Sequence, residues 1–404
     1  MSTSWLQDAE GANPLGGLAD GSPWDAVVVG AGPAGSLAAL ELSRRGRRVL
    51  LLEREVFPRW KVCGATLSPG AQEELRRAGL DALIEEAGAR PLRVIRLGGW
   101  GSQVELPLSG SVALSRARLD QVLARAAQEA GVVVRFGVGV RLGPVLQDRR
   151  VLDVRWGARM EEISARVVVA ADGLTSGLMS QAGIPSQPIS GARRALIGLG
   201  ASLPSAHPAF EEGVVHMSVG EEAYVGAVRV EDGSLNVAAA LTPASIQRSG
   251  GAHALPASLL KGDGWPLLLE DVGVTWKGTP RLARSPAAPG AERLLAVGDA
   301  GGYLEPFTGE GMFWALAGAR LLAPLAAGVS QTWDPGILET WTRLHRRQTR
   351  RAQRHCRTIS WALARPAVTR GVLRILSHAP ELAGPVIRRV GAPLAPPTVE
   401  APCS

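Results

Sequence analysis

Short apolar runs and amphipathic stretches alternate near the start of the chain. Residues 26–29 and 49–52 are uninterrupted apolar runs, which are typical of strands buried on both faces of a parallel sheet. Between them, residues 33–45 carry Ala, Leu and Glu at helical spacing, and Gly46 stands where a helix C-cap is expected. The pattern therefore predicts one complete βαβ unit within about thirty residues.

Patterns of the same kind continue along the rest of the chain. Residues 115–130 place apolar side chains on one helical face and predict an amphipathic helix. Residues 167–170 and 294–297 are again short apolar runs, which predict buried strands. A further helix is predicted over about 311–326, and residues 333–404 are mostly helical in pattern.

Two other stretches have the pattern of antiparallel strands. Residues 91–113 alternate apolar and polar positions around Gly and Pro. Residues 192–282 are rich in strand patterns, with turn signals at Asp232-Gly233 and Asp263-Gly264. The order of these elements predicts an α/β fold with a strand-rich insertion.

Composition and charge narrow the class of protein. The 404 residues are 46% hydrophobic and 20% charged, which is typical of a globular chain with a large core. The formal net charge is +7, and much of the positive charge lies between His345 and Arg357. A nucleic-acid interface would place that charge on one face with aromatic residues interleaved. We therefore predict no nucleic-acid partner and favour a solvated or membrane-facing surface.

The number of cysteines and the lengths of the apolar segments indicate the cellular compartment. Cys63, Cys356 and Cys403 form no disulfide framework and lack metal-ligand spacing, so we predict no metal site and a reducing cytoplasm. Residues 1–23 have neither the basic nor the apolar region of a signal peptide and are expected to be a disordered leader. The sequence has no run of about 18 uncharged apolar residues, so no helix is expected to span a membrane.

A glycine-rich turn joins the first predicted strand to the first predicted helix. It consists of Gly30, Ala31, Gly32, Pro33, Ala34 and Gly35. In such a turn, Gly30 makes the tight bend, Gly32 lets the backbone approach a diphosphate, and Gly35 lets the helix pack closely on the strand. Glu53, at the end of the second strand, can accept hydrogen bonds from ribose hydroxyls. This arrangement predicts a dinucleotide site, with the diphosphate at the helix N-terminus.

Three motifs in the sequence resemble one family. The first comprises residues 30–35, Glu53-Arg54 and 57–64, which ends in Cys63-Gly64; the second runs from 298 to 302 and continues through 306–312. The third, at 116–120 and 171–173, is weaker. Together they resemble the geranylgeranyl reductase-like branch of the para-hydroxybenzoate hydroxylase-fold flavoproteins, over residues 24–330.

The resemblance implies a fold and a set of cofactor residues. The fold is α/β: a Rossmann-type FAD-binding domain with a mixed sheet, an inserted strand-rich substrate domain and a helical C-terminal tail. The cofactor is FAD, with NAD(P)H as the expected electron donor. The expected FAD residues are Gly30, Ala31, Gly32, Pro33, Ala34, Gly35, Glu53, Arg54, Cys63, Gly64, Arg116, Asp299, Gly309, Gly311 and Met312.

The domain boundaries follow from the same resemblance. The FAD-binding domain is expected to be discontinuous, over 24–90, 114–185 and 285–330. The substrate domain is expected at 91–113 and 186–284, and the helical tail at 331–404. Asp299 is expected beside the ribityl chain, although its place after a strand also suits a helix N-cap.

Two kinds of reaction are compatible with the sequence. A reductase would pass a hydride to a double bond, whereas a monooxygenase would transfer a hydroxyl to an electron-rich ring. Geranylgeranyl reductases usually carry Tyr-x-Trp-x-Phe-Pro where this chain has residues 224–230, and aromatic hydroxylases usually have a histidine where it has 301–303. We expect a reductase acting on a hydrophobic biosynthetic intermediate, isoprenoid or polyketide-like. The alternatives are a monooxygenase and a non-catalytic flavin- or lipid-binding protein.

Several side chains have both a functional and a structural interpretation. The candidate catalytic residues are Tyr224, Tyr303 and Glu305. His216 could face the pocket or be structural, Cys63 could be a reactive thiol or a small buried residue, and Glu310 is expected to cap its own helix. The basic stretch from Trp341 to Trp361 could lie on a membrane or close over the FAD domain as a solvated helix. The oligomeric state is left open.

Overall fold

The computed structural model of the chain describes most of the sequence. The described residues are 15–19, 21–189, 195–204, 207–249, 251, 253–265, 275–304, 307, 309–329 and 332–389. Glu305, Cys403 and the last part of the predicted tail lie outside them.

Twenty strands are described, and they form four sheets. In chain order they are β1 (Trp24–Val29), β2 (Val49–Leu52), β3 (Thr66–Leu67), β4 (Arg90–Pro91), β5 (Val94–Gly99), β6 (Ser102–Pro107), β7 (Val112–Ala113), β8 (Val133–Arg135), β9 (Gly139–Val145), β10 (Arg150–Trp156), β11 (Arg159–Ala170), β12 (Gln187–Pro188), β13 (Ile197–Leu203), β14 (Val214–Val219), β15 (Ala223–Arg229), β16 (Leu235–Leu241), β17 (Lys277–Arg281), β18 (Arg284–Ser285), β19 (Gly290–Ala291) and β20 (Leu294–Ala296).

The described helices follow the predicted pattern closely at the FAD domain and add short helices elsewhere. They are α1 (Pro33–Ser43), α2 (Pro69–Arg77), α3 (Asp81–Glu86), α4 (Arg116–Glu129), α5 (Gly177–Gln181), α6 (Pro243–Arg248), α7 (Ala254–Gly262), α8 (Gly311–Ala327), α9 (Pro335–Leu363), α10 (Pro366–His378) and α11 (Gly384–Arg389). The 3-10 helices Gly298–Gly301 and Pro380–Ala383 precede α8 and α11.

The first sheet is the mixed sheet that the sequence predicts. Its order is β19-β20-β11-β1-β2-β8, with β9 and β10 attached to β11 as an antiparallel meander. The pairs that β1 makes with β2 and β11 are parallel, and all three strands have fully buried centres. Helices α1, α4 and α8 cover one face of this sheet, and a second core that includes Leu152, Val154 and Ile163 of the meander covers the other, which explains why its strands are apolar on both sides.

The second sheet has seven strands in the order β17-β13-β16-β15-β14-β5-β6. The predicted turn at Asp232-Gly233 joins β15 to β16, whereas the turn signal at Asp263-Gly264 ends helix α7. Strand β5, from the stretch 91–113, pairs in parallel with β14, and β6 pairs with β5, so this hairpin joins the strands from 197–241. The insertion is therefore one continuous sheet built from two separate parts of the chain.

Residues 15–18 integrate into the fold more than the sequence suggested. Leu15 and Leu18 are buried in the core on the meander side of the first sheet, and the Leu18 carbonyl accepts a hydrogen bond from the Trp24 indole. The expectation of a disordered leader is therefore wrong for these residues.

Within the described part of the chain, no helix has both the length and the apolar character to cross a bilayer.

His216 lies on the face of the second sheet that points away from the 3-10 helix Gly298–Gly301. Its ring is fully buried and makes edge contacts with Phe210 and Trp265, at centroid distances of 5.2 Å each. Burial, aided by Arg96 and opposed by Glu211, lowers its pKa to about 4. The packing therefore favours a structural role for His216.

The buried histidine makes stability depend on pH. The unfolded chain takes up a proton as the pH falls below about 6.5, whereas the folded chain does so only near pH 4, so stability is lost between these values. We expect His216→Leu to reduce this loss by about 2–3 kcal/mol in urea unfolding. His378→Leu, at an exposed site, is the control and should leave the pH dependence unchanged. An unaltered pH dependence in His216→Leu would contradict the assignment.

Candidate cofactor and active site

Two glycines of the turn after β1 are required by close backbone contacts. Gly30 has a φ of +104°, and a Cβ there would lie 2.3 Å from the carbonyl oxygen of Ala171. A Cβ at Gly35 would lie 1.8 Å from the carbonyl oxygen of Gly30. Both positions exclude a side chain, as the dinucleotide-binding pattern requires.

Gly32 differs, because open space rather than backbone lies beside it. A Cβ there would meet only guanidinium nitrogens, Arg116 Nη2 at 3.4 Å and Arg59 Nη2 at 3.9 Å. Gly32 is the N-cap of α1, and no side chain caps this helix. The free N–H groups of the helix and two guanidinium groups therefore border one cradle, which fits a diphosphate.

A buried carboxylate positions the two guanidinium groups. Arg116 donates two hydrogen bonds of 2.8 Å to Asp120, and Arg59 Nη2 lies 3.1 Å from the same carboxylate. Asp120 is fully buried. Burial alone would lower the pKa of Arg116. The charge of the Asp120 carboxylate and its hydrogen bonds outweigh the effect of burial, so the pKa of Arg116 is raised. The expected approach of Arg116 to the cofactor is thus geometrically possible, and Arg59 joins it.

Lys61 adds a third cation to the cradle. Its Nζ lies 3.4 Å from the point where a Cβ of Gly173 would stand. Burial and the positive charge of Arg116 lower its pKa, against the opposing effect of Asp299. Arg59 and Lys61 lie within the motif at 57–64, but the sequence predicted no role for either side chain. This segment has no regular structure, so no period indicated where the two side chains point.

The Glu53 carboxylate is fixed against the glycine turn. Its two oxygens accept hydrogen bonds from the backbone N–H groups of Ala31 (2.9 Å) and Glu55 (3.0 Å), and the residue is buried. The carboxylate keeps lone pairs that can accept ribose hydroxyls. Arg54, in contrast, points into solvent beside Glu55 and is not brought to the cradle.

Asp299 reaches the site on the 3-10 helix Gly298–Gly301. A Cβ at Gly298, whose φ is +63°, would lie 2.9 Å from the Ala34 Cβ, so this helix packs against the start of α1. The negative charge of Asp299 acts on both Arg116 and Lys61 and contributes an increase to each pKa. For Lys61, burial and the neighbouring arginines outweigh this increase. It does not act as an N-cap, because Val297 holds that position and no side chain makes a capping hydrogen bond.

Helix α8 begins beside Tyr303. Gly309 has a φ of +69°, α8 starts at Gly311, and Met312 in its first turn is buried. Glu310 occupies the N-cap position but makes no side-chain capping hydrogen bond, so the expectation that it caps α8 is wrong. The Tyr303 ring lies 3.5 Å from the point where a Cβ of Gly311 would stand.

The phenol of Tyr303 is set to keep its proton. Burial, together with the negative charges that Asp299 and Cys63 can carry, raises its pKa well above the ordinary value. The Cys63 thiol is half-buried and accepts a 3.4 Å hydrogen bond from the Ala65 N–H. Gly64 beside it is exposed, with no atom within 4 Å of a Cβ built there.

An apolar wall faces Tyr303 from the second sheet. Tyr224 and Ala240 belong to a buried cluster that also contains Tyr303 and Phe307, and the rings of Tyr224 and Phe307 meet edge-on at 5.0 Å. Gly226 and Ala238 lie on the same face by strand alternation. A Cβ at Gly226 would meet only a carbonyl oxygen, at 4.0 Å. These small residues leave room for an apolar molecule.

A cavity of about 250 Å³ opens between the 3-10 helix Gly298–Gly301, α8 and α9. Asp299 and Tyr303 line it, together with His345 and Gln348 from α9. Burial and the neighbouring Arg346 lower the pKa of His345 to about 4. Tyr303 therefore borders both this cavity and the apolar wall.

Comparison with known proteins decides the family. The family model described as FAD binding domain matches residues 24–234, which include the glycine turn, Glu53 and Arg116. The chain belongs to this family of flavoproteins. The flavoprotein is thus a member of the FAD-dependent oxidoreductases, and the predicted FAD cofactor is confirmed at the level of the family. The residue-by-residue assignment to FAD stays a prediction.

Three relatives show how far the sequence similarity of the flavoprotein extends. Digeranylgeranylglycerophospholipid reductase 2 of Methanopyrus kandleri is 28% identical over 84% of this chain and 85% of the relative. Menaquinone reductase of Mycobacterium tuberculosis is 37% identical over 38% of each protein. Conditioned medium factor receptor 1 of Dictyostelium discoideum is 28% identical over 75% of this chain and 63% of the relative. The chain therefore spans less than two thirds of the latter two proteins.

Solved structures agree on the fold of the flavoprotein. A flavoprotein/dehydrogenase from Cytophaga hutchinsonii is 18% identical with a TM-score of 0.75, over 91% of this chain and 92% of that one. A geranylgeranyl bacteriochlorophyll reductase-like protein from Thermoplasma acidophilum is 19% identical with a TM-score of 0.73, over 88% and 91%. The predicted fold class, with its strand-rich insertion, is confirmed by this likeness.

Proposed function

We propose that the flavoprotein reduces carbon–carbon double bonds of a hydrophobic, isoprenoid-type molecule, with NAD(P)H as the electron donor. The observation that carries the proposal is the apolar wall of small residues around Gly226 and Ala238, opposite Tyr303 and Phe307. An extended apolar chain fits this wall without burying unpaired polar groups. The relatives named as lipid and quinone reductases support the same class of substrate.

The cofactor and the protein have separate tasks in this proposal. FAD, when bound, supplies hydride transfer between NAD(P)H and the double bond. The protein binds the diphosphate through the helix N-terminus with Arg59, Lys61 and Arg116, and it holds the apolar chain against the second sheet. Reduction also adds one proton to the second carbon of the double bond, and NAD(P)H with a solvent proton balances the reaction.

Tyr303 is the proposed proton donor. Its phenol is protonated at neutral pH, as any tyrosine is, and it lies beside Gly311, at the start of the helix expected to face the flavin. Tyr224, from the apolar wall, is the second candidate. Glu305 cannot be compared with them, since it lies outside the described residues.

The test separates the reductase from its two alternatives. The purified FAD-loaded protein is incubated anaerobically with NADPH and either menaquinone or a geranylgeranyl lipid, and the products are analysed by mass spectrometry. A gain of two hydrogens for each reduced double bond is expected. Product that forms only in air and gains one oxygen atom would overturn the proposal in favour of a monooxygenase. A flavin that neither NAD(P)H nor dithionite reduces would indicate a non-catalytic role.

Tyr303→Phe is expected to slow product formation about a hundredfold, because the donor of the proton is lost while the ring remains. Single-turnover experiments should show that NADPH reduces the bound flavin at an unchanged rate. Tyr224→Phe is the matched variant on the opposite wall. If product formation falls only in Tyr224→Phe, the proton donor is the other tyrosine.

We propose the cytoplasm as the working compartment. Cys63 is a free thiol within the described chain, which suits a reducing environment. Recovery of the protein with the cytoplasmic fraction of its own cells, after osmotic release of any periplasm, is the expected result.

A further inference from the structure

Large apolar side chains are exposed mainly at the C-terminal end of the described chain. Of the eight such residues with more than two fifths of their surface exposed, five lie between 361 and 386. They are Trp361, Val372, Ile375, Leu382 and Val386, with exposed fractions of 46%, 44%, 57%, 60% and 55%. We call these five residues the C-terminal face. Such a concentration marks an interaction site rather than ordinary surface.

Helix α10 shows why these residues remain exposed. Its inner side packs through Leu373 against Val104 and Leu106 of β6. Val372 and Ile375 stand on the side that this packing leaves open. The 3-10 helix Pro380–Ala383 contacts both α10 and α11, so Leu382 and Val386 continue the same region of the surface. The helix is therefore apolar on two sides, of which the sheet covers one.

The charge of this region is positive. Residues 361–386 contain three arginines and one acidic residue, Glu381. Arg365 stacks on the ring of Trp361, with 4.1 Å between its guanidinium carbon and the ring centre. Arg374, beside Ile375, is exposed. Arg365 and Arg374 therefore alternate along the chain with the exposed apolar side chains.

We propose that the C-terminal face docks on an anionic phospholipid bilayer. Interleaved apolar and arginine side chains are what a helix in the bilayer interface presents to acyl chains and phosphate groups. A second copy of the chain fits less well, because a two-fold contact would bring the same arginines against each other. Nucleic acid would satisfy the arginines but leave four aliphatic side chains without an apolar partner.

The docking surface differs from the one that the sequence suggested. Trp341, expected there, is fully buried and donates hydrogen bonds of 3.1 Å to the carbonyl oxygens of Pro289 and Ala296. Helix α9 therefore closes over the first sheet at its start, and only its end, at Trp361, reaches the C-terminal face. Docking would give the protein access to a substrate dissolved in the bilayer. That role rests on the proposed function, whereas the docking itself does not depend on it.

Vesicle flotation tests the docking without any activity measurement. The FAD-loaded protein is mixed with vesicles of phosphatidylcholine alone or with phosphatidylglycerol added, at low and high salt. Binding is expected only to the anionic vesicles and should weaken with salt. The double variant Val372→Asp/Ile375→Asp should lower the partition coefficient at least about tenfold. Arg374→Gln should lower it about fivefold.

The matched control uses exposed apolar residues of the FAD domain. Leu146→Asp/Met160→Asp changes two side chains that are 42% and 60% exposed, and it should leave vesicle binding unchanged. Equal loss in both double variants, or no binding of the parent protein to anionic vesicles, would overturn the proposal. A dimer in light scattering that only Val372→Asp/Ile375→Asp dissociates would assign the face to a second copy instead. Because none of these readouts involves turnover, an inactive protein can still pass the test.

Discussion

Gly32→Val is expected to yield a folded protein that retains no FAD. The space beside Gly32 is bordered by the guanidinium groups of Arg116 and Arg59 rather than by backbone, so the native fold can accept the added carbons. Those carbons would, however, occupy the cradle expected to hold the diphosphate. The same replacement at Gly35 would instead collide with the Gly30 carbonyl and break the fold itself.

The measurement is the amount of flavin released from desalted protein, together with the melting temperature of the apoprotein. Gly262→Val is the control, since a Cβ there has no atom within 4 Å and the residue lies on a distant helix. We expect the control to keep a full complement of FAD. Normal FAD content in Gly32→Val would show that the diphosphate lies elsewhere and would remove the basis of the site.

Asp120→Ala is expected to lower the free energy of unfolding of the apoprotein by about 3–5 kcal/mol, since it strands the buried guanidinium of Arg116 without its carboxylate. The same helix offers a matched control in Glu129→Ala. Arg125 and Glu129 have the same spacing and the same 2.8 Å distance as Arg116 and Asp120, but both are exposed. The control should cost less than about 1 kcal/mol.

Urea unfolding of the two apoprotein variants provides the comparison. A further variant, Arg116→Met/Asp120→Leu, removes both members of the buried pair and should recover part of the stability that Asp120→Ala loses. Similar small losses in Asp120→Ala and Glu129→Ala would mean that solvent reaches Asp120. In that case, this carboxylate would not position Arg116 and Arg59 over the glycine turn.

The parts of the site that the sequence could predict are those with a local signature. The glycine turn, Glu53 and the helix after Gly311 are each fixed by contacts within a strand–turn–helix unit, and that unit has a recognisable spacing. Arg59 and Lys61 lie in a segment without regular structure, where no period indicates which side chains point inward. Their role became visible only when α4 brought Arg116 and Asp120 against them.

Long-range packing decided the interpretations that the sequence left open. The alternating pattern around His216 defines two faces of the strand but does not indicate which face meets the FAD domain. That depends on how the whole strand-rich insertion packs against the FAD domain. Trp341 appeared as part of an irregular basic stretch, although its burial depends on Pro289 and Ala296, some fifty residues earlier in the chain. Glu310 occupies the capping position but its side chain makes no capping hydrogen bond.

The anchoring of Trp341 has a practical consequence for anyone preparing fragments. This indole is tied to the carbonyl of Ala296, at the end of β20, just before the 3-10 helix that contains Asp299. Helix α9 therefore supports the candidate FAD site from beneath. A shortened clone that stops where similarity to the family model ends, at residue 234, would lack both that strand and its support. Even one ending near residue 330 would leave the underside of the 3-10 helix Gly298–Gly301 open to water.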